Sequence, residues 1–266
     1  NDLKWVRPLG ASHLFLTATE RSINLAKATE KKKRVYRPAN GECVKAEELT
    51  IPQARVDDTP SWQTSILRHY PKLHSHVINS VSVCANEAEF LSADELTVFL
   101  WNIEKSLVAY PLLELRSLEE DAPEVITSAH FSPREEHVYL ISTTKCARMC
   151  DTRHPATHPA HALRFEEPVL KRNLFTDYLS AVDGATFAED GKIVTREPLQ
   201  TKVWDVRVPS RPLATIPLYE GLKSRLAEMV ENDALMDRFG VVSSPDGRRH
   251  ATGLYQNCFH ILDNAG

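Results

Sequence analysis

Short apolar runs alternate with polar residues along this chain and are broken by acidic or glycine-containing tight turns. At 90–101 the run FLSADELTVFLW meets a turn at Asp94-Glu95 and then alternates until Trp101. The same grammar returns at 192–205 (KIVTREPLQTKVWD), where it ends on Trp204-Asp205. Weaker copies occupy 14–26, 138–151 and 251–263. Period-two alternation half-buries a strand, because successive side chains point to opposite faces of a sheet. Five copies at intervals of mostly about 50 residues predict a repeat array whose unit is a small antiparallel sheet.

Copies that end in Trp-Asp, or in a hydrophobe followed by Asp, carry the pattern of WD-repeat blades. The expected fold is therefore all-β, a WD-repeat β-propeller in which residues 1–266 form a single, partial domain of about five to six blades. Strand edges at both ends predict that the segment belongs to a longer ring, since propellers close by pairing terminal strands. Between the first two repeats the grammar lapses. Strand-like runs at 49–51 and 65–67 flank a polar stretch at 57–60 (DDTP), predicting an inserted β-hairpin arm over residues 47–73 that reaches away from the body. Leu49, Ile51, Trp62, Ile66, Leu67 and Tyr70 place large apolar groups on that arm, as a partner surface would. The basic run Lys31-Lys32-Lys33-Arg34 reads as a solvated loop, with nuclear import as its functional alternative. One helical insertion is expected at 221–232, where Leu222, Leu226, Met229 and Val230 share a face.

Composition narrows the class. Net charge is −4 and the hydrophobic fraction 42% over 266 residues. That balance offers no broad basic field for nucleic acid or an anionic membrane. No apolar run approaches the ~20 residues of a membrane helix. The five cysteines, Cys43, Cys84, Cys146, Cys150 and Cys258, are odd in number and scattered, which predicts buried, reduced thiols in a cytosolic or nuclear protein. A metal site from His154, His158 and His161 with Cys146 and Cys150 is disfavoured. Residues i and i+4 of a strand stand ~13 Å apart at the strand rise. No nucleophile elbow, phosphate loop or dinucleotide-binding glycine pattern occurs. The chain is thus read as a docking module with no catalytic residue and no cofactor. Acidic residues do cluster in turns and inter-blade links: Asp94 and Glu95, Glu119 to Asp121, Glu166-Glu167 and Glu197. Together they could form an anionic groove that selects basic segments, with Lys202 as a cation near its rim.

Several segments, in order, narrow the reading further: HSHVIN at 74–79, FLSADELTVFLW at 90–101, EVITSAHF at 124–131, FEEP at 165–168, KVWD at 202–205, END at 231–233 and DRF at 237–239. In combination they resemble the propeller-type B-family regulatory subunits of protein phosphatase 2A, along nearly the whole chain. The resemblance implies a seven-bladed propeller without catalytic activity. It implies docking on a HEAT-repeat scaffold subunit through the arm, contact with the catalytic subunit, and recruitment of phosphoprotein substrates or inhibitors through an acidic groove. Carried over by position, that groove uses His76, Asp94, Glu95, Glu119, Glu120, Glu197 and Lys202, with Phe175 as an apolar lip. Departures mark a divergent lineage. Glu95 and Glu197 stand where aspartate is usual, Asp121 follows Glu119-Glu120 where leucine is usual, and Leu25-Ala26 replaces a leucine-tryptophan pair. A WD-repeat scaffold of an unrelated complex is the alternative.

Overall fold

The computed structural model describes residues 2–10, 12–37, 53–115, 124–154, 162–168, 178–219, 237–255 and 257–263. Five antiparallel blades form a ring. The first contains β1 (Asp2–Leu9), β2 (Ser12–Thr19), β3 (Ser22–Arg37) and β4 (Gln53–His69). The second contains β5 (Ser80–Val83), β6 (Glu89–Ala93), β7 (Thr97–Asn102) and β8 (Ala109–Glu114). The third is β9 (Ile126–Phe131), β10 (Val138–Thr143), β11 (Ala147–Asp151) and β12 (Leu163–Phe165). The fourth is β13 (Gly184–Phe187), β14 (Lys192–Glu197), β15 (Gln200–Asp205) and β16 (Ala214–Pro217). Three strands make the fifth: β17 (Val241–Ser243), β18 (Arg249–Leu254) and β19 (Cys258–Asp263).

The second strand of each internal blade is buried on both faces, so that the polar Ser92, Ser142 and Thr195 lie inside the molecule beside the apolar residues. On β6, Phe90 packs with Leu16, Ile23 and Val81 towards the first blade. Its neighbour Leu91 packs with Ile126, Tyr139 and Ile141 towards the third. On β10, Leu140 turns the other way, to Ile193 and Trp204 of the fourth blade. A core cut into slabs between blades can thus be assembled from one repeated hairpin, since each sheet buries both its faces.

The first strand of each blade lines the centre, and side chains rather than backbone ladders tie one to the next. Asp2 Oδ2 accepts the N–H of Val81 (2.9 Å). The hydroxyl oxygens of Ser80 and Ser82 accept the N–H groups of Ala129 and Phe131, each at 2.9 Å. Thr127 Oγ1 donates to the carbonyl of Val182 (2.8 Å), and Ser243 Oγ to that of Phe187 (2.7 Å). These bonds satisfy backbone groups that a twisting inner strand cannot pair within its own sheet. A central cavity of about 390 Å³ is lined by Asp2, Thr127, His130, Asp183 and Arg238, among others. Burial, with Lys4 nearby, pulls the His130 imidazole down to about 4.

Because a blade is an antiparallel meander, the turn between its second and third strands and the link to the next blade emerge at the same end. One broad face of the ring therefore carries the turns at 94–96, 144–146 and 198–199 together with the links at 70–79, 124–125, 166–168 and 178–183. The opposite face carries the turns between first and second strands. One of these is a tight turn in which Asp190 and Gly191 both adopt left-handed φ, 59° and 69°.

The arm departs from its expected form. β3 and β4 pair from Asn24↔His69 out to Arg37↔Gln53, with register shifts between Leu25 and Ala26 and between Lys31 and Lys33. The basic run Lys31 to Arg34 therefore lies on a strand instead of in a loop, and Asp57 to Pro60 lie within β4 instead of at a tip. The ribbon leaves the ring on the face opposite the links. The predicted helix at 221–232 lies outside the described residues. Among the cysteines, Cys84, Cys146 and Cys150 are buried as expected, whereas Cys258 is exposed on β19. No helix among the described residues is long and apolar enough to cross a membrane.

Candidate functional site

The Asp94-Glu95 turn in the second blade is built around a closed chain of hydrogen bonds. Trp101 Nε1–H donates to Ser92 Oγ (2.7 Å), Ser92 Oγ pairs with His74 Nε2 (2.6 Å), and His74 Nδ1 with Asp94 Oδ2 (2.9 Å). Since the Asp94 carboxylate can only accept, the His74 proton on Nδ1 faces it, and the Nε2 of that tautomer accepts from the Ser92 hydroxyl. The other oxygen of Asp94 accepts the N–H groups of Leu96 (2.8 Å) and Thr97 (2.6 Å). Burial pushes the Asp94 carboxyl up, but the bonds from His74, Leu96 and Thr97 more than offset it and hold the group well below the usual carboxylate range. Asp94 is 0% exposed. It joins the inter-blade link to the turn and is not a free groove carboxylate.

The fourth blade repeats half of this device. Trp204 Nε1–H donates to Thr195 Oγ1 at 2.9 Å, again across nine residues. The position equivalent to Asp94 by strand register is Glu197, and no histidine among the described residues meets it. Instead Lys202 Nζ lies 2.7 Å from Glu197 Oε1 and 2.6 Å from Glu167 Oε2, while Gln200 Nε2 donates to Glu197 Oε2 at 2.7 Å. The side chains of Glu197 and Lys202 are 4% and 7% exposed, that of Glu167 42%. Burial pulls the Lys202 ammonium down, yet Glu197 and Glu167 more than offset it and keep the group charged. Its cation also lies 6.0 Å from the centre of the Trp204 ring.

In the third blade the equivalent position is Thr143, whose hydroxyl bonds Glu124 Oε1 (2.6 Å). Glu124 in turn is ion-paired with the buried guanidinium of Arg148. In all three blades the residue opening the turn is thus satisfied from within: by a histidine, by a hydroxyl–carboxylate–arginine chain, or by a lysine.

These placements sort the predicted residues. Glu95 is exposed, and its carbonyl accepts the N–H of Ile126 at 2.8 Å, which ties the turn to the next blade. His76 is half-buried, its backbone N–H 3.5 Å from Asp94 Oδ2, and its Nδ1 has no partner among the described residues. The structure therefore groups His76 with Asp94 and Glu95, and Glu197 with Lys202, with the third blade between the two groups. Glu119, Glu120 and Phe175 lie outside the described residues, as do Leu49 and Ile51 of the arm. Trp62, Ile66 and Leu67 are each more than half exposed.

Tyr70 is a correction. It is 4% exposed, packs edge-on against Phe90 and Trp101, and donates its hydroxyl to the carbonyl of Ile103 (2.9 Å). Burial raises its hydroxyl to about 12. A large aromatic at the foot of a hairpin is drawn into the nearest apolar slab, so Tyr70 is core and unavailable to a partner.

Sequence reasoning missed Glu124, Arg148 and the pairing of Glu167 with Lys202. It also missed Arg196, which is fully buried and donates Nε–H to Thr252 Oγ1 (3.1 Å) across the seam between the fourth and fifth blades. One signal was present: a hydroxyl nine residues before Trp101 and before Trp204, followed two residues later by a carboxylate.

No family model matches the chain. Curated proteins do. The chain is 29% identical over 280 positions, 97% of its own length, to the serine/threonine-protein phosphatase 2A regulatory subunit sur-6 of Caenorhabditis elegans. Over 278 positions and 100% of its length it is 30% identical to the B-type regulatory subunit of protein phosphatase PP2A from Candida tropicalis. The chain is similar to B-type regulatory subunits of protein phosphatase 2A along nearly its whole length. The 55 kDa regulatory subunit of Drosophila melanogaster matches at 28% identity over 274 positions, 99% of the chain. The chain spans about half the length of these relatives, 54–55% of each.

Proposed function

We propose that this chain is part of a non-catalytic regulatory subunit of a heterotrimeric serine/threonine phosphatase of the 2A type. In this reading the β3–β4 arm docks on a HEAT-repeat scaffold subunit, the body leans on the catalytic subunit, and the face bearing the turns holds phosphoprotein substrates or inhibitors. The subunit would act by raising the local concentration of a phosphosite at a catalytic centre housed in another chain.

One observation supports this division of labour most: the arm leaves the ring on the face opposite the acidic turns. Two partners can then be engaged at once without competing for one surface. Exposed Trp62, Ile66 and Leu67 lie at the root of the arm, where β4 pairs with β3 of the first blade, and would give that root the apolar anchors that interfaces use. On the other face, Glu95 and Glu167 present charge to solvent, which suits steering of basic segments.

The reading is tested by charge reversal at the exposed acid and truncation of the arm's anchors. Glu95→Lys should weaken capture of phosphoprotein substrates while scaffold binding, followed by surface plasmon resonance, stays within about twofold. Removing the anchors with Trp62→Ala and Leu67→Ala together should do the converse, at ~1–2 kcal/mol per anchor. If Glu95→Lys abolished scaffold binding, or the arm variant retained it unchanged, the assignment of the two faces would be wrong.

A further inference from the structure

We infer that Glu167 is the carboxylate through which the fourth blade reads a basic side chain of a partner, with Lys202 acting as a built-in cation that keeps Glu197 out of that contact. The inference rests on the proposed docking face and names the residue that works there. Two carboxylates and one ammonium share this corner. An ammonium that is 7% exposed is held between them, 2.7 Å from Glu197 and 2.6 Å from Glu167. Glu197 has both oxygens occupied, one by Lys202 and one by the Gln200 amide, and its side chain is 4% exposed. A partner could reach it only by expelling a buried lysine, which would leave a bare carboxylate in a site of low polarity.

Glu167 differs on each count. Its side chain is 42% exposed, and only its Oε2 is engaged by Lys202. It follows Phe165, whose buried ring seats against Trp204 at 6.1 Å between centroids, so the segment is anchored just before the acid. The triad carries a net single negative charge, and its solvent side is Glu167. An arginine or lysine arriving from a partner therefore meets Glu167 first. The lysine anchor narrows the conformations of that carboxylate, so less side-chain entropy is lost when the partner binds. Lys202 is accordingly a positioning residue for Glu167 and not a contact for an acidic or phosphorylated group.

The test uses the whole chain and a fluorescein-labelled peptide of alternating arginine and serine, with an equally long glutamate–serine peptide as control, read by fluorescence polarisation. Glu167→Gln should weaken the basic peptide about five- to tenfold at low salt, and Glu167→Asp should recover most of that loss, whereas a merely structural role would be recovered by Gln as well. Lys202→Met, which releases the Glu167 carboxylate, should weaken the basic peptide by about two- to threefold, less than Glu167→Gln does, and stronger binding would overturn the positioning role of Lys202. Equal affinity of the parent and Glu167→Gln, with the parent binding the basic peptide, would overturn the assignment of Glu167 while leaving the docking face intact. A parent chain that bound only the acidic peptide would overturn the docking face as well.

Discussion

At the scale of single residues, conserving charge and conserving role are different matters. Asp94 and Glu197 occupy one register position, yet one is held by a histidine and two backbone N–H groups and the other by a lysine and an amide. Asp94→Ala leaves the His74 proton and the N–H groups of Leu96 and Thr97 buried without an acceptor, so it should cost about 3–5 kcal/mol in denaturant unfolding. A loss below about 1 kcal/mol would show that water replaces the carboxylate. Asp183 makes a pH prediction. Burial raises its carboxyl to about 6 from 3.8, more than Arg196 and Arg238 nearby lower it. A folded value above the unfolded one means stability that is present at low pH and lost as pH rises from about 4 through about 6, by roughly 2–3 kcal/mol. Asp183→Asn should flatten that part of the stability–pH curve. An unchanged curve would place the titration elsewhere. None of these environments could be read from residue type, because a turn carboxylate facing water and one closed under a link share the same letter.

At the scale of elements, the blades were legible and the arm was not fully so. The runs at 90–101 and 192–205 stood out because a short apolar run, a tight turn and an alternating run ending in tryptophan recur in both, on strands that pack between neighbouring slabs. The arm lies under no such constraint beyond the ring. A two-stranded ribbon that is not pressed onto a core tolerates Lys31 to Arg34 on one strand and Asp57-Asp58 on the other. Pro60 is tolerated because β4 is the outer strand of its sheet. Tyr70 erred in the opposite direction, since its neighbours in sequence are exposed and only the fold brings Ile103 to it. Turns offer a direct check. Gly247 adopts φ +71°, and a Cβ placed there would lie 2.6 Å from the backbone nitrogen of Glu189 in the neighbouring blade's turn. The two turns also share a hydrogen bond from the Glu189 N–H to the Gly247 carbonyl (3.0 Å). Gly247→Ala should therefore cost at least ~2 kcal/mol, combining a left-handed backbone with a clash against main chain. A thermal midpoint equal to the parent's would mean that this seam between the fourth and fifth blades is looser than its geometry.

At the scale of the whole molecule, the features fit the display platform proposed above. Repeated hairpins supply a rigid ring, side-chain bonds such as Ser80 to Ala129 fasten one inner strand to the next, and the turns are held from within so that the residues beside them can face outward. The first and fifth blades also present apolar faces to solvent, through Leu3, Trp5 and Ile66 on one and Val242, Phe259 and Ile261 on the other. The likeness to regulatory subunits over nearly the full chain gives this platform its proposed setting. The most direct test is co-expression of the chain with the HEAT-repeat scaffold and catalytic subunits of protein phosphatase 2A, followed by size-exclusion chromatography and mass spectrometry of the peak. A single species containing all three chains, lost on removal of the arm, is the predicted result. Elution of this chain apart from both phosphatase subunits would contradict the account.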